Sequence, residues 1–127
     1  MAGRVRFLGK VPRTELPRIY AEHDVLVFPS EWDEPFAITP LEAMAGGLAV
    51  VGTTTGGSGE LFRDRETAMV FEAGNAAACA EAIRQLCADR DLFEKIQGNA
   101  SREVATHHTL DAMVDAIEQS LMGISDC

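Results

Sequence analysis

Positive charge is in short supply: 11 Lys and Arg stand against 20 Asp and Glu, a formal net charge of −9. The basic residues are scattered, whereas a phosphate backbone needs a dense basic face, so a nucleic-acid partner is disfavoured. Anionic lipid is disfavoured for the same reason. There are only three cysteines, Cys79, Cys87 and Cys127, and no C-x-x-C spacing for zinc. Cys79 and Cys87 are eight residues apart in an expected helix, about 12 Å along its axis, which is too far to bridge. All three read as buried or incidental thiols of a reducing compartment. No apolar run is long enough to span a bilayer, and the N-terminal MAGRVRFLG is a charged strand pattern, not a signal peptide. Cytoplasm is the expected location.

What is present describes one globular domain at most: 127 residues, 46% of them apolar, without repeats or low-complexity tracts. Val5, Phe7 and Leu8 predict a short strand ended by Gly9, and Leu16, Ile19 and Tyr20 predict a helix from Thr14 or Leu16 to His23. Val25 to Phe28 and Leu48 to Val51 are continuous apolar runs, as expected of strands buried on both faces of a parallel sheet. A helix from Pro40 to Ala45 lies between them, stopped by Gly46 and Gly47. Glu60 to Arg63 reads as a helical turn, Asp64 to Glu66 as a surface turn and Ala68 to Phe71 as a small edge strand. Helices are predicted over Ala76 to Ala88, Asp91 to Thr106 and Leu110 to Leu121. Leu92, Ile96 and Val104 form an apolar stripe on the second, and Leu110, Met113, Val114 and Ile117 one on the third. Strands alternating with helices give an α/β fold with a helical C-terminal end.

The stretch FPSEWDEPFAITPLE, residues 28 to 42, is where chemistry is expected. A strand that runs through a polar loop into a helix N-terminus is where open α/β sheets hold ligands. Thr39 as N-cap, Pro40 at the first position and Glu42 at the third would make a capping box, which accounts for Glu42 without any ligand. The free N–H groups of such a terminus favour an anion. Glu34, before Pro35, fits no helix position and on its own reads as a solvated acid. Gly52, Gly56, Gly57 and Gly59 crowd the segment after the next strand. That density permits close approach of backbone to a ligand, or simply makes a flexible loop.

Glu34, Pro35 and Phe36, followed by Leu41, Glu42, Ala43, Met44 and Ala45, resemble the E-x7-E motif of retaining glycosyltransferases of the family 4 type, which have the GT-B fold. The run PFAITPLEAMAGGLAVVGTTTGGSGE is similar to that family's PFGL-x-x-LEAMA-x-G-x-PVV-A-x-x-x-GG-x-x-E, and the resemblance covers nearly the whole chain but only part of such an enzyme. It implies a partial Rossmann-like parallel sheet, that of the GT-B C-terminal domain, flanked by helices. It implies transfer of a hexose-type sugar from a nucleotide-diphosphate sugar to an acceptor hydroxyl with retention, this part binding the donor and needing no metal. Glu34 would be the catalytic-site carboxylate beside the donor sugar, and Glu42 would accept hydrogen bonds from the ribose hydroxyls. The backbone N–H groups of Phe36, Ala37, Ile38 and Thr39 would face the diphosphate. Gly56, Gly57 and Glu60 would form the loop near the donor, with Glu60 equally suited to capping that loop.

The resemblance also implies parts outside this sequence: an N-terminal acceptor domain, two earlier strands, and a basic pair for the donor phosphates that Arg6 and Lys10 do not replace. An edge left open by those strands is expected to be prone to pairing. The isolated chain is then expected to be inactive, and a full-length enzyme to be cytoplasmic or peripheral to a membrane. Alternatives are an inactive nucleotide-sugar binding module and a sugar-nucleotide epimerase of the same fold. Ala37 stands where the family has glycine, Ala49 where proline is common, and Arg65 and Ala68 where a turn usually has glycines. His23, His107 and His108 read as structural, surface or interdomain residues. Trp32 is placed to stack on a base, while packing is the plainer role for Phe36.

Overall fold

The computed structural model describes residues 3–125, so Cys127 lies outside the described residues. A single 3-10 turn, Arg13–Glu15, leads into α1 (Leu16–Ala21), and then β1 (Val25–Phe28), α2 (Ile38–Ala45), β2 (Ala49–Gly52), α3 (Ser58–Leu61) and β3 (Met69–Val70) follow in order. Three helices complete the chain: α4 (Ala76–Ala88), α5 (Arg90–His107) and α6 (Leu110–Ser125). The strands form one parallel sheet in the order β1-β2-β3, with Val25 opposite Ala49 and Phe28 opposite Gly52.

The central strand sorts the core. Along β2 side chains alternate between faces, and Val50 joins Met44, Leu61, Phe62 and Val104 on one side. Ala49 and Val51 join Met69, Leu86, Leu92 and Ile96 on the other. α5 spans both layers, with Leu92 and Ile96 in one and Ala100 and Val104 in the other. Its expected stripe is therefore buried.

β1 does not match the expectation of a strand buried on both faces. It is an edge strand, with no further strand beside it among the described residues, and Val27 remains 39% exposed. Residues 5–8 form no strand, and Phe7 is 94% exposed. A strand needs a neighbour to satisfy its N–H and C=O groups, and among the described residues this segment has none. The stripe on α6 forms without burial: Leu110, Met113, Val114 and Ile117 are all exposed. Amphipathic spacing specifies a helix but supplies no surface to receive it. Cys79 and Cys87 are free, the first half-buried against the core around Leu86 and Ile96 and the second exposed, so neither is fully buried.

Candidate functional site

Because β1 and β2 run parallel, both end on the same rim of the sheet. The loop after β1 carries Glu34 and the loop after β2 carries the glycines. They are laced together: the Thr53 hydroxyl donates to Ser30 O at 2.6 Å, the Thr55 hydroxyl to the same oxygen at 3.2 Å, and Gly57 N–H to Glu34 O at 2.8 Å. The close approach that the glycines allow is to this neighbouring loop. A Cβ at Gly56, where φ is +55°, would lie 2.2 Å from Glu34 O, and one at Gly57 would lie 2.0 Å from Pro35 O. The pair sets the path of the Glu34–Phe36 backbone, so the reading of a flexible loop is set aside.

Glu34 is half-buried, and its Oε1 lies 3.4 Å from the Ser30 hydroxyl. That hydroxyl is also 3.2 Å from Trp32 O, one proton between two acceptors. Trp32 projects into solvent, 76% exposed. The Phe36 ring meets His108, at the end of α5, with centroids 5.9 Å apart. His108 is thus tied to the loop, and its Nε2 lies 3.9 Å from Glu103 Oε1. Glu60, in the first turn of α3, is exposed. Ser58 beside it is buried, with a hydroxyl that has no hydrogen-bond partner.

The expected capping box is not formed. α2 begins at Ile38 with Ala37 as N-cap, no side chain caps it, and Glu42 sits at the fifth position. Burial decides this start: Ala37 is 2% exposed and Pro40 is fully buried, which draws the chain into the helix before Thr39 can cap it. Ala37 has φ −89° and ψ 111°, ordinary extended backbone, so the alanine in place of glycine brings no strain. Ile38 and Thr39 keep first-turn N–H groups with no intrahelical acceptor.

Glu42 faces a different set of partners. Arg13 Nη2 donates to Oε1 at 2.8 Å, and the Tyr20 hydroxyl donates to Oε2 at 3.3 Å. Burial, the Glu42 charge and this hydrogen bond push the Tyr20 phenol above its usual 10.0, with Arg13 opposing. A groove of about 450 Å³ runs here between α1 and α2, lined by Arg13, Leu16, Pro17, Tyr20, Glu42, Ala45 and Gly46. Arg13 and Tyr20 escaped the sequence reading because they lie 29 and 22 residues from Glu42. Among the described residues no three His, Cys, Asp or Glu side chains are grouped to hold a metal, and no helix is long and apolar enough to cross a membrane.

Residues 1–103 match the family described as glycosyl transferases group 1. The chain is similar, at 35% identity over 97% of its length and 35% of the relative's, to the lipopolysaccharide core biosynthesis mannosyltransferase LpcC of Rhizobium leguminosarum bv. viciae. It superposes on HepE of Anabaena, solved in complex with UDP-glucose, with a TM-score of 0.84 at 26% identity, over 95% of this chain and 33% of that one. It also superposes on the C-terminal domain of a group 1 glycosyl transferase, LpcC of Francisella tularensis, with a TM-score of 0.74 at 30% identity, over 82% of this chain and 53% of that one. The chain spans between 24% and 35% of the length of such curated relatives.

Proposed function

The chain belongs to the glycosyl transferases group 1 family, with the parallel sheet and flanking helices of a GT-B C-terminal domain, and from that premise we propose that it holds the nucleotide-diphosphate sugar of a sugar transfer. The observation that carries the reading is Glu42, 27% exposed by its side chain on an otherwise largely apolar groove. A carboxylate offers a ribose diol two acceptors at fixed separation. The apolar walls of Leu16 and Pro17 suit the nucleoside, and the first-turn N–H groups of Ile38 and Thr39 suit the diphosphate. Glu34, on the backbone path set by Gly56 and Gly57, is assigned to the donor sugar.

The chemistry proposed is that of the family 4 type. The acceptor oxygen bonds to the anomeric carbon on the face the diphosphate leaves, the carbon–oxygen bond to the diphosphate breaks, and the acceptor proton passes to the departing phosphate. Configuration is retained, and no side chain is required as base. Curated relatives that carry out sugar transfer are about three times as long, so the acceptor is assigned to contacts outside these 127 residues. UDP and UDP-glucose are the first ligands to try, since solved neighbours hold them.

Calorimetric titration of the chain and of Glu42→Ala tests the reading. Loss of hydrogen bonds to a charged group should weaken binding by about 1.5–3 kcal/mol, roughly ten- to a hundredfold. Equal binding by the two proteins would remove Glu42 from the site. Titration beside donor alone, with product analysis, separates an epimerase, which would release an altered sugar.

A further inference from the structure

Both oxygens of Glu42 are taken, by donors of opposite character. The Arg13 guanidinium on Oε1 is 81% exposed, and an exposed ion pair of this kind is weak and readily exchanged. The Tyr20 hydroxyl on Oε2 comes from a ring packed against the core cluster around Met44 and Phe62. Gly46 fits closely beneath it, since a Cβ there would lie 3.1 Å from Tyr20 Cβ. One oxygen is thus held by a packed ring and the other by an exposed side chain.

Resting on the reading of Glu42 as the acceptor for a ribose diol, we propose that Tyr20 is a positioning residue that fixes Oε2, and that Arg13 is a place-holder on Oε1 which the incoming hydroxyl displaces. The terminal torsion of a glutamate is a broad, two-fold rotor. With Oε2 pinned, the carboxylate keeps its plane, presents Oε1 to the groove and retains a further lone pair on Oε2 for the second hydroxyl of the diol. Without Tyr20 the carboxylate would follow Arg13 towards solvent. Arg13 keeps the groove-facing Oε1 from standing unpaired between ligands.

The first test needs no ligand. Tyr20 is the only tyrosine in the sequence, so near-ultraviolet absorbance through an alkaline titration reads its phenol alone. The charged groups acting on it are Glu42 from α2 and Arg13 from the 3-10 turn. Glu42→Gln should lower its midpoint, and Arg13→Gln should raise it. A Tyr20 whose hydroxyl does not face the Glu42–Arg13 pair would respond to neither, and that outcome overturns the assignment.

The second test is calorimetric titration with UDP. Tyr20→Phe, which keeps the ring, should weaken binding about three- to tenfold, the effect of one lost hydrogen bond. Arg13→Gln should tighten it about two- to fivefold, by removing a weak competitor. Weaker binding by Arg13→Gln would overturn the place-holder role and put the guanidinium on the ligand. If Glu42→Gln binds UDP as the unaltered chain does, the reading of Glu42 fails and this inference falls with it. If Glu42→Gln loses affinity while Tyr20→Phe and Arg13→Gln match the unaltered chain, the inference alone is overturned.

Discussion

Gly57→Ala isolates the contact between the two loops at the rim of the sheet. Gly57 has φ −65° and ψ −12°, which alanine adopts freely, so no dihedral penalty enters. The new Cβ would lie 2.0 Å from Pro35 O, 2.9 Å from Pro35 C and 3.2 Å from Phe36 Cα. All three are backbone atoms, and ordinary contact requires the loops to part by at least about 1 Å. Overpacking of this kind costs about 1–3 kcal/mol. Parting also stretches the Gly57 N–H bond to Glu34 O, 2.8 Å long, for about 0.5–1.5 kcal/mol more. The expected destabilisation is therefore about 2–4 kcal/mol. Urea denaturation followed by circular dichroism measures it, and the emission of Trp32, the only tryptophan, reports displacement of its own loop. Gly59→Ala is the control: its Cβ meets nothing nearer than Thr54 O at 3.8 Å, and alanine inside α3 should gain up to about 1 kcal/mol. Equal stability and unchanged emission for Gly57→Ala would refute the backbone contact.

Three other changes follow from single contacts. Thr67, fully buried, donates to Leu61 O at 2.6 Å and accepts from Arg63 N–H at 2.9 Å; Thr67→Val strands both groups and should cost about 2–4 kcal/mol in urea denaturation, while Thr67→Ser keeps the bonds. Arg65 is held at φ 58°, in the left-handed region; Arg65→Gly relieves about 1–2 kcal/mol of strain against about 0.5–1 kcal/mol of added chain entropy, so a slight rise in melting temperature is expected despite loss of the bond to Gln85. The Arg63 guanidinium, by its hydrogen bond, holds the Glu103 carboxyl below its ordinary 4.5 against the opposing pull of desolvation. A carboxylate depressed in the fold adds stability above its unfolded value and loses it as pH falls through the folded one; Glu103→Gln should therefore flatten the decline of stability below pH 4.5, by about 1 kcal/mol at most because the Arg63 partner is exposed and screened.

Legibility followed the range of the interaction. α4 was expected at its observed bounds because its signals are local: the Asn75 side chain accepts from Ala78 N–H, and Ala82 and Leu86 face the core. The Thr39–Glu42 box carried equally local signals and lost, because Ala37 and Pro40 gain more from burial against the fold than Thr39 gains from a cap. Residues 5–8 and the face of α6 show the opposite gap, where pattern specifies an element and says nothing about what it meets. Arg65 was legible only through resemblance, as an arginine where a turn has glycine, and the turn kept its left-handed backbone.

The two glutamates of the motif were legible as a pair, but their supports were not, since each depends on contacts across long stretches of chain. Glycine density cannot say whether the close neighbour is a ligand or a backbone some twenty residues upstream; Gly56 and Gly57 are closed against Glu34 and Pro35. Glu42 is held by Arg13 and Tyr20, from elements that no motif links to it. One carboxylate is therefore governed by the fit of two loops at the strand ends, and the other by the packing of α1 on α2. The constant spacing between them is kept by the turn and helix that join two separately supported halves of the site.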